Sequence, residues 1–150
     1  MMSRAFVVVV CVCFVSLSGC IVVAHLDTVP STQSFFGDIK VSGAFVGGDF
    51  YADLNADRPW HKRECHGQWR LATAPQPFGK DPMAAIWETA RGAGYYTDTI
   101  LGAQECALGS GTCKNGTTLE AEICRLKPNG NRKGAVVGVA QDSGNVVYKF

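Results

Sequence analysis

The sequence is short of charge, of histidine and of closely paired cysteines. Only one charged residue, Arg4, precedes Asp27. The whole chain holds 14 Lys+Arg against 13 Asp+Glu. That balance supplies no basic stripe for a polyanion, which excludes the nucleic-acid-binding classes. The runs His61-Lys62-Arg63 and Arg132-Lys133 are too short to change this and read as solvated turns. There is no C-x-x-C, so the usual structural zinc spacings are excluded. There is no G-x-S-x-G, and Gly109-Ser110-Gly111 reads as a flexible turn rather than a nucleophile elbow. The 3 histidines are His25, His61 and His66.

What is present begins at the N-terminus. After Arg4 the residues from Ala5 to Val15 are apolar without a break, and Ser16, Leu17, Ser18 and Gly19 then lead to Cys20. A positive residue, a short apolar run and a small-residue junction make an export signal. The run Leu17-Ser18-Gly19-Cys20 resembles the lipobox of bacterial lipoproteins. That resemblance implies cleavage before Cys20 and a lipid on its thiol. Ile21 stands where such lipoproteins carry an inner-membrane retention aspartate, so by the same resemblance the address is the outer membrane. Two other readings stay open. Val22-Val23-Ala24 forms a small-residue site for ordinary secretion with His25 as the new N-terminus, and residues 5–24 are long enough to span a bilayer uncut. In each case the body lies outside the cytoplasm. The leader removes Arg4 and no acid, so the mature body is electrically neutral.

Of 7 cysteines, Cys11 and Cys13 lie in the leader and Cys20 is the lipid site, which leaves Cys65, Cys106, Cys113 and Cys124. An even number in an exported domain predicts two disulfides. Their pairing follows from one turn. Lys114-Asn115-Gly116 is a three-residue hairpin loop with Gly116 at the left-handed position. Cys113 then faces Thr117, and the same register sets Cys106 directly opposite Cys124, within bridging distance. Cys65 is left for Cys113. A bulge at Gly109-Ser110-Gly111 would shift this register.

Residues 20–37 read as a polar tether, with Asp27, Pro30, Ser31, Thr32, Gln33 and Ser34. Strands are expected over 39–46, from Phe50, and over 65–71, where Trp69 and glycine share a face. Helix is expected over 82–91, with Asp81 as cap, Pro82 at the first turn and Gly92 as stop. Met83, Ile86, Trp87 and Ala90 form its apolar stripe, docking through Ile86 and Trp87. Further strands are expected over 95–101, 117–125 and 134–140, and over 145–150 after a Ser143-Gly144 turn. In the 117–125 strand Leu119, Ala121 and Ile123 point inward, while Glu120 and Glu122 form a solvated face.

Candidate chemistry is thin. Cys65 and His66 adjoin, but neighbours on a strand point to opposite faces and cannot share a proton. His61, Cys65 and His66 give an incomplete ligand set for a metal. Asp53, Asn55, Asp57 and Glu64 have the spacing of a calcium loop, yet Arg58 occupies the glycine position and Pro59 follows. Asn115-Gly116-Thr117 fits a glycosylation sequon.

The segments Cys65-His66-Gly67-Gln68-Trp69, Cys113-Lys114-Asn115-Gly116 and residues 138–148 resemble the strand–turn units of small exported bacterial proteins. That resemblance implies an architecture and no activity. The expected object is mainly β: a small antiparallel sheet or barrel-like domain with one short helix, stapled by disulfides. Its parts are a signal peptide at 1–19, a lipid-anchored tether at 20–37 and one domain at 38–150. The expected role is binding or structural, at the cell envelope, with no catalytic residue, metal or cofactor identified. The expected partners are the membrane, through the anchor, and an envelope or host protein. The alternative is a secreted, disulfide-stabilised effector or inhibitor cleaved after Ala24.

Overall fold

The computed structural model describes residues 22–28, 36–41, 43–54, 63–129 and 134–150. The leader, Cys20, His61 and the centre of the candidate calcium loop lie outside these residues. Eight strands run in chain order around a closed antiparallel barrel. They are β1 (Val22–Thr28), β2 (Phe36–Val41), β3 (Gly48–Leu54), β4 (Arg63–Trp69), β5 (Glu105–Cys113), β6 (Thr118–Arg125), β7 (Val136–Asp142) and β8 (Val147–Lys149). The barrel closes where β1 pairs with β8, at Asp27↔Lys149 and Thr28↔Tyr148. Closure is confined to these two pairs at one end, so Val22–Leu26 of β1 has no β8 partner.

Within the stretch 20–37, Val22–Thr28 is strand rather than tether. Val22–Thr28 pairs along β2 from Val22↔Val41 to Asp27↔Phe36 and supplies one of the barrel's eight staves. The barrel therefore takes in Val22–Thr28, ahead of the expected domain boundary at residue 38.

The barrel interior is filled. Ile39, Phe50, Leu54, Trp69, Leu119 and Tyr148 belong to one buried cluster. Phe50 and Trp69 lie with ring centroids 5.1 Å apart. They fit because the strands opposite carry no side chains there. A Cβ on Gly109 would lie 2.6 Å from the Trp69 ring, and one on Gly67 would lie 2.4 Å from the Phe50 ring. The glycines beside the tryptophan are thus the space into which the aromatics pack.

A second buried layer lies outside the barrel. Helix α1 (Ala84–Arg91) turns Ala84, Trp87 and Ala90 onto the outer surface of the sheet. Met83, Tyr96, Ile100, Cys106, Cys124, Val139 and Val147 complete this layer. Trp87 is 0% exposed, whereas Ile86 is only half-buried, so docking runs through Trp87 with Ile86 at the margin. The helix starts at Ala84 rather than at residue 82, with Met83 at the cap position and no side-chain cap bond; Asp81 Oδ1 instead accepts from the Met83 amide at 2.8 Å in the turn before it, and Gly92 ends the helix with φ 107°.

The strand expected over 95–101 is instead a π-helical turn, Tyr96–Ile100. The Glu88 carboxylate accepts hydrogen bonds from the amides of Gly94 and Tyr96, which starts a new turn directly after α1. Tyr96 and Ile100 are then both buried on the side facing the barrel. This tertiary burial overrides the strand preference of Thr97, Thr99 and Ile100.

The two disulfides are Cys65–Cys113 and Cys106–Cys124. β5 and β6 pair without a skipped residue from Glu105↔Arg125 to Thr112↔Thr118, with Cys106 opposite Cys124. Gly109-Ser110-Gly111 does not bulge. The two bridges serve different layers: Cys65–Cys113 ties β4 to β5 inside the barrel, and Cys106–Cys124 ties β5 to β6 on its outer face.

Candidate functional site

The outer face of β5 and β6 is where the chain gathers buried polar groups. Residues 70–73 continue β4 alongside β5, with the Arg70 amide donating to the Leu108 carbonyl at 2.8 Å and Thr73 bridging Cys106. The chain then loops back through Lys80 to α1. Between this excursion and the sheet lies a cavity of about 290 Å³. Arg70, Thr73, Gln76, Lys80, Asp81 and Glu122 are among its lining residues.

Glu122 departs most from the expected face. It was expected on a solvated surface with Glu120; Glu120 is exposed, but Glu122 is 1% exposed. The alternation of β6 is intact, and both residues do point out of the barrel. The difference is that the layer formed by α1 and the π turn covers only the part of that surface beneath it. The Trp87 indole N–H donates to Glu122 Oε2 across the interface. Asp81, also buried, faces the same region. The Tyr96 hydroxyl lies 2.6 Å from Asp81 Oδ2 and 2.6 Å from the Gln76 carbonyl, both acceptors for its proton.

These contacts set protonation. Removal from water pushes the Glu122 carboxyl up to about 8; the Trp87 hydrogen bond opposes the shift, while the charge of Asp81 and hydrogen bonding to it add to it. Burial also drives the Tyr96 hydroxyl far above the ordinary phenol range, helped by its bond to Asp81. At neutral pH the cavity wall therefore presents a neutral carboxylic acid in Glu122. Arg70 and Lys80 add exposed cations to the lining. Such a lining can donate and accept hydrogen bonds with a small polar molecule.

A pH dependence follows. The folded protein keeps the Glu122 proton up to about pH 8, whereas the unfolded chain releases it in the ordinary carboxylate range. The native state binds the extra proton in between, so stability falls as pH rises through that window and levels off above it. The loss is on the order of a few kcal/mol. Glu122→Gln keeps an acceptor for Trp87 and cannot ionise. Urea unfolding from mildly acidic to mildly alkaline pH should therefore show a flatter profile for Glu122→Gln than for wild type. Parallel profiles would show that Glu122 does not carry the proton.

The other sequence candidates do not converge. Cys65 is consumed by its disulfide, and His66 is exposed, its ring edge-on to Tyr51 at 4.8 Å. Asp53 and Glu64 are register partners on β3 and β4, with the intervening candidate ligands outside the described residues. Among the described residues, the grouping with metal-ligand geometry is Cys106, Glu122 and Cys124. Its two sulfurs are bonded to each other and cannot act as thiolate ligands. Sequence reasoning missed the Asp81–Glu122–Tyr96–Trp87 group. Its one sequence signal was an acid on the same β6 face as Cys124, two residues away, a face the helix's apolar stripe could have covered.

No protein-family model, curated protein or solved structure matches the chain.

Proposed function

We propose that this chain is a cell-envelope lipoprotein, anchored through Cys20 to the outer membrane, which binds a small polar molecule in the cavity beside Glu122 on the barrel's outer face. The observation that carries the anchoring is the start of β1 at Val22. Cleavage before Cys20 leaves every residue of that strand in the mature protein. Cleavage after Ala24 would remove Val22, Val23 and Ala24, and with them half of the β1–β2 ladder. The secreted-effector reading therefore costs the barrel part of a closing strand. Two disulfides suit an oxidising compartment outside the cytoplasm.

The binding role rests on the cavity, which lies outside the packed barrel and is walled by a neutral acid, a second carboxyl and two cations. Nothing in this lining supplies an activated nucleophile, so binding rather than turnover is the reading it favours.

Cys20→Ala is expected to abolish palmitate labelling and to stop maturation by lipoprotein signal peptidase. If the variant is processed normally and stays as membrane-bound as wild type, the anchoring is wrong. Mass spectrometry of the mature N-terminus separates an acylated Cys20 from a free His25, the mark of the secreted alternative.

A further inference from the structure

We propose that the barrel stands on the bilayer by one defined rim, with Val46, Leu71 and Val136 seated in the lipid surface. The proposal rests on the anchoring at Cys20 and adds an orientation and a contact surface to it. The first step is reach. Cys20 is two residues from Val22, where β1 begins, and two residues span at most about 7 Å. A lipidated Cys20 sits at the membrane surface, so no tether separates that surface from the start of β1.

Register identifies the rim. Val22 is opposite Val41, the last residue of β2, so β1 starts at the end of the barrel that carries the β2–β3 turn. The same end holds Trp69 where β4 stops, opposite Gly48, and Arg125 where β6 stops, opposite Val136. Three large apolar side chains emerge here. Val46 in the β2–β3 turn is 77% exposed, Leu71 just beyond β4 is 69% exposed, and Val136 at the start of β7 is 49% exposed. The turn is not loose: Ala44 is buried in the barrel core, and Phe45 lies under the Arg125 guanidinium at 4.4 Å. Val46 is thus held outward by a turn folded over the barrel end.

The charge at this rim suits a bilayer. Arg70 and Lys127 are exposed; of the acids at this end, Glu105 is paired with Arg125 at 3.3 Å and the exposed Asp49 accepts from Gln68 at 3.1 Å. Apolar side chains interspersed with cations make an interfacial surface for a membrane containing anionic lipid. The opposite end differs. Its described turns expose Lys114, Asn115, Gly116, Ser143, Gly144 and Asn145, and among the described residues no exposed large apolar side chain lies there. Among the described residues the exposed large apolar side chains at a barrel end are therefore at the end where β1 begins, which is the end next to Cys20 in the chain.

The test uses the mature protein in phosphatidylethanolamine–phosphatidylglycerol vesicles. A nitroxide is placed singly through Val46→Cys, Leu71→Cys or Val136→Cys, and through Asn115→Cys at the far end. The three rim labels should be relaxed more by oxygen than by a water-soluble nickel chelate, and the Asn115 label the reverse. If all four labels are aqueous while Cys20 is acylated, the orientation is overturned and the anchoring stands. If Cys20 carries no lipid, the anchoring fails, and the same labels on protein mixed with the vesicles decide the rim: entry into lipid supports it, and aqueous labels overturn it. Dipolar broadening between rim labels would identify a second copy of the chain as the occupant and would also overturn it.

Discussion

Trp87→Ala is expected to destabilise the protein by about 3–5 kcal/mol, the range for deleting a fully buried large aromatic. Trp87 is 0% exposed and joins the helix to the sheet at the centre of the outer layer. Its ring also stacks on Tyr95 at 6.0 Å. The substitution opens a cavity and, in addition, removes the donor to Glu122. Trp87→Phe separates these effects. It keeps most of the apolar volume and loses only the indole N–H. Because that bond favours the ionised carboxyl, its loss should hold the Glu122 proton still more tightly and extend the fall of stability to higher pH. Urea unfolding of both variants checks the prediction. A loss below about 1 kcal/mol for Trp87→Ala would mean that the layer repacks without it.

The elements that were legible in the sequence are those specified by neighbours along the chain. The β5–β6 register followed from the three-residue loop at Lys114-Asn115-Gly116, and both disulfides followed from the register. Helix α1 was legible from its stripe and from Gly92 at its end, though it starts two residues later than Asp81 and Pro82 suggest, and the β7–β8 hairpin was legible from its turn residues. The features that were not legible depend on which part of a surface something else covers. Glu122 and Glu120 are equivalent in the period of β6; only the position of α1 makes one buried and the other exposed. The π turn over Tyr96–Ile100 depends on a carboxylate, Glu88, eight residues before Tyr96. β1 was hidden for another reason. Val22, Ala24 and Leu26 alternate with His25 and Asp27, but this alternation follows directly on the apolar leader and is obscured by it.

The second large effect is expected at the other end of the barrel, from Asp142→Ala. Asp142 closes β7 and is 3% exposed. One carboxylate oxygen, Oδ1, accepts from the amides of Gly144 at 2.9 Å and Val146 at 3.0 Å, which fixes the β7–β8 turn. The other, Oδ2, lies 3.2 Å from the Arg63 guanidinium and accepts from the Tyr148 hydroxyl at 3.3 Å. Arg63 in turn donates to the Tyr148 oxygen at 3.4 Å, so a cation, an anion and a phenol close one network across β4, β7 and β8. Alanine removes every contact of the Asp142 carboxylate and leaves Arg63 largely buried without it. Breaking a buried ion pair from one side costs about 3–5 kcal/mol. Asp142→Asn keeps an acceptor for the turn amides and loses only the charge, so its cost should be smaller, about 1–3 kcal/mol. The phenol supplies a second readout. Burial holds the Tyr148 hydroxyl far above its ordinary range; the charge of Asp142 adds to this, and Arg63 opposes it. Without Asp142 only the opposing charge remains, so Tyr148 should ionise at lower pH in Asp142→Ala, read as phenolate absorbance against a Tyr148→Phe control. A stability loss with no such movement would assign the effect to the turn alone and remove the ion pair from the account. Both changes together would place the network at the closed end of the barrel, away from the rim where β1 begins.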